Sequence, residues 1–357
     1  MGWRPLPNSF IQRFLLNKGW LYIVSGGLAV AAALLALFVS SVPVPVRDIV
    51  HIILHQLTGL ALADDIPPNV EMIIWEIRLP RVLLAFGVGA ALALSGAAFQ
   101  GLLRNPLADP YTIGVSSGAA LGAVLVIFFQ FSLFGLFTLP LFAILGGLFA
   151  LLMVFGLTRL SGRGLAIETI VLAGIIISAF IGSFISLIIA LSGEELRHIL
   201  YWLFGSVGMR GWRYVLLFLP FLLVGAVLLL LHHRDLNALA LGEDSASHVG
   251  VDVHRSKRWI LTGASLLTGS AVAVSGTIGF VGLVIPHVVR LVAGPDHKHV
   301  LPLSILIGGS FLVLADLLAR TLIAPRELPV GVITALVGAP VFAFLLIRER
   351  AGKGFLR

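Results

Sequence analysis

The chain has 357 residues, 59% of them hydrophobic and 11% charged, with a formal net charge of +7 and no cysteine. A soluble domain carries about 25% charged residues and could not hide this much apolar surface, so the composition is that of an all-α integral membrane protein. It excludes a disulfide framework, thiolate catalysis and cysteine-bound metal, and the positive charge is read from its position along the chain rather than as a nucleic-acid footprint.

A hydrocarbon core takes roughly 20 apolar residues per helix. Ten stretches fit that demand: 20–39, 82–103, 114–129, 139–157, 166–191, 214–231, 259–276, 278–293, 300–322 and 328–347. The third and eighth are short, as expected of helices enclosed partly by protein. Arg4, Arg13 and Lys18 precede the first span with no small-residue cleavage site after a short apolar region, which predicts an uncleaved first span. Small-residue runs such as GVGAALALSGAA and GVSSGAALGA let backbones approach closely, so the spans form a compact bundle. With ten spans both termini lie on one side. That side carries sixteen of the 24 Lys and Arg residues, and Arg47, Arg78, Arg81, Arg197, Arg210, Arg213, Arg320 and Arg326 make up the remainder. The bias places both termini in the cytoplasm.

In chain order, the outer segment 40–81 holds a possible interfacial helix, 46–60, starting after Pro43 and Pro45, and ends in RLPR. RNPLADP, 104–110, is a rigid cytoplasmic turn built on Asn105, Pro106, Asp109 and Pro110. Glu168 opens the fifth span, where its charge suits a helix N-terminus. The outer stretch EELRHILYWLFGSVG predicts a short amphipathic helix with both acids in its first turn. A polar insert, 238–253, separates the sixth and seventh spans and is flanked by His232, His233, Arg234, Arg255, Lys257 and Arg258. Residues 243–249 can form a small helix capped by Gly250. Leu241, Ala246 and Val249 are then apolar groups at the membrane edge with nothing of their own to bury against. Such a helix fits docking into a cytoplasmic partner; a solvated loop is the competing possibility.

His287 follows GTIGFVGLV without a second ligand-type residue at metal spacing, so a structural hydrogen bond is expected of it. Asp316 and Arg320, one turn apart, are expected to pair, the acid orienting the arginine near the outer surface. ALALSGA and AVAVSGT, each with a proline at equal distance beyond, form a faint echo of inverted halves. No GxxxxGK[ST], HExxH or GxSxG occurs, and no span holds two acids. Phosphate-loop ATPase chemistry, intramembrane proteolysis and a carboxylate-driven proton cycle therefore lack support, and no catalytic or metal-ligating residue is assigned.

RLPRVLLAFGVGAALALSGAAFQGLLRNPLADPYTIGVSSGAALGA, LALGEDSASHVGV, SGTIGFVGLVIPHVVRL, LADLLAR and ELPVGVITALVGAPVF occur in order from Arg78 onward. Together they resemble the permease subunits of ABC importers for iron-siderophore complexes, haem and cobalamin. The resemblance implies one permease domain over 1–357 with 238–253 as its coupling loop, in the inner membrane of a prokaryote. It implies a dimer with a second copy or a paralogue, and a pathway lined by the fifth and tenth spans. It also implies two ATPase subunits that use ATP-Mg, and an extracytoplasmic substrate-binding protein; no cofactor is bound by this chain. By the same resemblance, Leu241, Gly242, Glu243, Ala246, Val249 and Gly250 couple to the ATPase, and Arg78, Arg81 and Arg320 dock the binding protein. The competing readings are an ion-driven secondary carrier, which would need cavity-facing acids and no nucleotide, and a non-transporting scaffold.

Overall fold

The computed structural model describes residues 18–40, 44–59, 66–162 and 165–354. Arg4, Arg13, Pro43, Leu60, Arg163 and Arg357 lie outside them. Among the described residues every regular element is helical. The first span is α1 (Gly19–Phe38). The interfacial helix is α2 (Val46–Thr58), and it ends where Gly59 turns left-handed at φ 71° with its N–H on the His55 carbonyl at 2.8 Å. A short α3 (Pro68–Met72) passes through a π-helical turn, Ile73–Arg78, into α4 (Leu79–Leu102) without a break. The second span therefore starts well before Val82, and the π turn sets where Arg78 and Arg81 emerge. Then come α5 (Val115–Phe129), α6 (Thr138–Leu160), α7 (Ile167–Leu191), α8 (Leu196–Leu203) and α9 (Gly211–Leu231). The inner insert forms α10 (His233–Ala240) and α11 (Glu243–His248). The chain closes with α12 (Val253–Ser275), α13 (Val281–Ala293), α14 (His297–Thr321) and α15 (Val330–Gly354).

The ten expected spans correspond to α1, α4, α5, α6, α7, α9, α12, α13, α14 and α15. Six helical stretches among the described residues are long and apolar enough to cross a bilayer, while α5, α13 and the apolar part of α15 are shorter. A helix apolar all round must be enclosed. α4 is the case here: Leu84, Leu92, Leu94 and Phe99 point in different directions and all are buried. Its small residues let neighbours in. A Cβ at Gly96 would overlap the carbonyl of Gly282 on α13, and one at Gly308 of α14 would lie 2.7 Å from the Gly89 carbonyl. In contrast α1, α7 and α9 turn large apolar residues outward, Ile23, Phe180 and Leu223 among them.

The connecting segments gather at two ends of the bundle. At one, Tyr22 Oη meets His299 Nδ1 at 3.0 Å and Asn237 bonds Asp296. At the other, Arg78 Nη1 donates to the Leu37 carbonyl at 3.0 Å and Trp212 Nε1 to that of Trp75 at 2.8 Å. On the charge-bias reading the first is the inner end and the second the outer. Two local expectations change. The acids before α8 stand outside its first turn, with Glu195 at the N-cap. The echoed heptapeptides differ in conformation: Gly96 is mid-helix in α4, whereas Gly276 ends α12 at φ 72°. The chain then runs without helix from Gly276 to Phe280.

Candidate functional site

At the inner end α10 lies against the bundle with Leu236 and Leu239 buried, and three polar contacts fix it. Asp235 Oδ2 accepts from Ser256 Oγ of α12 at 2.8 Å. Asn237 Nδ2 donates to Asp296 Oδ1 at 2.7 Å, and Asn237 Oδ1 accepts from the His297 N–H at 2.9 Å, so one amide joins α10 to the start of α14. Gly242 then takes φ 118° and ψ 154°, a region open essentially to glycine alone. The acids Glu243 and Asp244 occupy the first turn of α11, where the helix dipole favours them. Beyond its end, Val251 N–H returns to the Ala246 carbonyl at 3.1 Å and Gly250 N–H to that of Ser247 at 3.0 Å. With Gly250 at φ 88°, this is a Schellman cap.

The apolar residues of this element divide. Leu241 and Val249 are 79% and 73% exposed. Ala246 is fully buried, which corrects the expectation that all three lie uncovered: it joins the core around Leu236 and Leu239. Glu243 is tied inward. Its Oε2 lies 2.6 Å from Lys257 Nζ, and that ammonium also donates to the Leu165 carbonyl at 2.7 Å. Lys257 on α12 is itself buried. It therefore bridges α11, α12 and the segment entering α7.

The second loop also divides. Asn105 and Pro106 are exposed, with Asn105 Oδ1 accepting from the Leu107 N–H at 2.9 Å. Arg104 beside them reaches the turn before α11: a Cβ at Gly242 would lie 3.7 Å from Arg104 Nη1. Asp109 and Pro110 turn inward. Asp109 Oδ1 caps a 3-10 turn, Pro110–Ile113, by accepting from the Tyr111 N–H at 2.9 Å. Burial pushes its carboxyl up to about 6 despite that bond. Asp109, Tyr111, Thr277, Phe280 and Leu283 line a cavity of about 330 Å³.

At the outer end Arg78, Arg81 and Arg320 come together, and all three are buried. Arg81 holds Asp316 through Nε at 2.8 Å and Nη2 at 2.9 Å, and Glu327 through Nη1 at 2.8 Å and Nη2 at 3.0 Å. The expected Asp316–Arg320 pair is thus replaced by Asp316–Arg81. The close α4–α14 seam at Gly89 and Gly308 brings Asp316 to Arg81, while Arg320 and Arg78 are drawn to α1. The last carbonyls of a helix lack intrahelical partners, and here Ala36 accepts from Arg320 Nη2 and Leu37 from Arg78. Arg78, Arg81, Arg320 and Glu327 line a cavity of about 220 Å³.

His287 packs edge-on to Phe342 at 5.8 Å. Among the described residues no cluster of three or more His, Cys, Asp or Glu gathers to hold a metal. Sequence reasoning missed Asp235, Asn237, Lys257 and Glu327. Only Lys257 carried a local signal, since Ile260, Leu261 and Ala264 follow it at helical spacing and are buried.

A family model described as the FecCD transport family matches residues 28–348. The uncharacterised ABC transporter permease protein YvrB of Bacillus subtilis is 52% identical over 338 residues, covering 94% of this chain and 96% of that one. The cobalamin import system permease protein BtuC of Halobacterium salinarum is 45% identical over 293 residues, covering 80% and 76%. A solved metal-chelate type ABC transporter in an inward-facing conformation is similar with a TM-score of 0.80 at 36% identity, over 92% of this chain and 99% of that one. A helical fold shared over nearly the whole length, with a family model spanning nine tenths of the residues, makes this chain a member of the FecCD transport family.

Proposed function

We propose that this chain is the single-domain permease subunit of an ATP-driven importer in a prokaryotic inner membrane, moving a metal-chelate-sized solute of the iron-siderophore, haem or cobalamin type into the cytoplasm. Two ATPase subunits hydrolyse ATP-Mg beneath a pair of permeases, either two copies or this chain with a paralogue. α7 and α15 face one another across the pathway; their outward apolar residues, Leu172, Ile176 and Phe184 on one and Leu336, Val337 and Phe344 on the other, support that placement. Arg78, Arg81 and Arg320 form the outer docking site for acidic residues of a cargo-loaded binding protein. Access switches by rigid-body motion, which requires each partner to bind the two states differently.

The observation that carries this reading is the inner element 238–253. It offers two bare apolar side chains, Leu241 and Val249, at the two ends of α11; α10 before it is held to α12 and α14, and Glu243 ties α11 through Lys257 to the entry of α7. A protruding apolar patch on a rigid mount suits a socket in a partner. Leu241→Asp with Val249→Asp alters only exposed groups. It is expected to abolish binding-protein-stimulated ATP hydrolysis in the reconstituted complex while the permease still folds. Stimulated hydrolysis at the unmodified rate would remove the coupling assignment.

A further inference from the structure

We infer that Glu327 is an internal stand-in for a docking partner's carboxylate: it holds Arg81 while the outer face is empty and yields that arginine when an acidic side chain of the binding protein arrives. This deepens the docking reading above and rests on it. The difficulty it answers is that a docking arginine should be available, yet four of the five N–H groups of Arg81 are taken. The two carboxylates that take them differ. Asp316 is 3% exposed on the rigid α14, whereas Glu327 is 40% exposed and sits on the irregular stretch before α15. Asp316 fixes the arginine; Glu327 occupies its remaining fork from the solvent side.

The surroundings fit an exchange. Glu327 borders both the 220 Å³ cavity with Arg78 and Arg320 and a second cavity of about 560 Å³ with Tyr201, Met209 and Arg210. An entering carboxylate therefore has room on either side. In the first cavity Arg320 Nε is buried without an acceptor, a donor that a second acid could satisfy. Three arginines against two acids leave one net positive charge; once Glu327 swings out, two remain to receive the partner. The exchange also has a direct mechanical readout. Leu328 N–H is bound to the Ala319 carbonyl at 2.9 Å and Val330 N–H to that of Gly205 at 3.0 Å, so Glu327 sits on the short strap that starts α15.

An internal competitor lowers apparent affinity by the fraction of time it leaves the site open. Glu327→Gln, which keeps the shape and weakens the hold, is therefore expected to tighten docking by roughly tenfold if the site is open about a tenth of the time. It should also steepen the salt dependence of docking, because the freed site carries one more positive charge. The test is surface plasmon resonance of the complete permease–ATPase complex in nanodiscs, titrated with the soluble substrate-binding protein of the same transport system at several ionic strengths. Glu327→Asp, one methylene short of Arg81, provides a second variant if the first does not assemble; it should tighten docking by less and leave the salt slope unaltered. Equal or weaker binding by these folded variants overturns the inference. Arg78→Gln and Arg320→Gln separate the two claims. Weaker binding in these with unaltered binding in Glu327→Gln removes only the stand-in, whereas unaltered binding in all of them removes the docking site itself.

Discussion

Lys257→Met tests the inner bridge most directly. Methionine fills nearly the same volume and removes the ammonium, so packing against Ile260 and Leu261 is preserved. Truncating one partner of a buried ion pair costs about 3–5 kcal/mol when the other charge is left unpaired in the interior. Here the abandoned Glu243 is 35% exposed and can rehydrate, whereas Lys257 is 1% exposed. The main loss is then the Leu165 carbonyl left without its donor, which brings the cost to roughly 1–3 kcal/mol. The assay is a double-mutant cycle with Glu243→Gln, read by thermal unfolding in detergent and by substrate transported per ATP in proteoliposomes with both partners. Coupling of about 1–2 kcal/mol between the two positions and a fall in transport per ATP are expected. Additive stability effects together with an unaltered transport-to-hydrolysis ratio would refute the bridge, since Lys257 would then be only a buried charge that happens to have neighbours.

Gly96→Val should cost more than any surface change, because its Cβ would strike the Gly282 carbonyl rather than a movable side chain; loss of the monodisperse peak in size-exclusion chromatography checks this. Gly242→Ala, at φ 118°, should destabilise by about 1–3 kcal/mol through backbone strain and lower stimulated ATP hydrolysis; an unaltered unfolding temperature speaks against it. Asp109, with its carboxyl raised to about 6, titrates above an unfolded value of about 3.9. Its contribution is thus fully present below about pH 4 and lost as pH rises through 6. Asp109→Asn, which keeps an acceptor for the Tyr111 N–H, should flatten the unfolding-temperature profile across that window and stabilise the protein at pH 7 by roughly 1–3 kcal/mol.

The spans were legible because each apolar run is bounded by charge, glycine or proline, and a bilayer sets their length. The small helix α11 was legible for a similar reason: its acids, Gly242 and Gly250 are local signals. What was not legible depends on which chain segments meet. Asp316 and Arg320 have the spacing of a pair, yet Arg81, 235 residues away, takes the acid because two glycines bring its helix alongside. Glu327 stands inside a quoted motif with nothing near it in sequence to name its partner. The π turn before α4 escaped notice because IIWEIR has no proline or glycine to mark it. Ala246 shows the limit of residue type, since a methyl group reads the same whether it faces water or core.

The stretch that interrupts the chain after α12 also makes a junction. Ser206 N–H bonds the Ser275 carbonyl at 2.7 Å, Val330 N–H that of Gly205 at 3.0 Å, and Thr277 Oγ1 donates to the Leu203 carbonyl. The ends of α8 and α12 and the beginning of α15 are thereby knotted together. At its opposite end α12 carries Lys257. From Lys257 to Ser275 it is about 27 Å of stiff rod, at about 1.5 Å per residue. On the proposed coupling role, a displacement of the inner helix would travel as a lever stroke along α12 to the joined ends of α8 and α15.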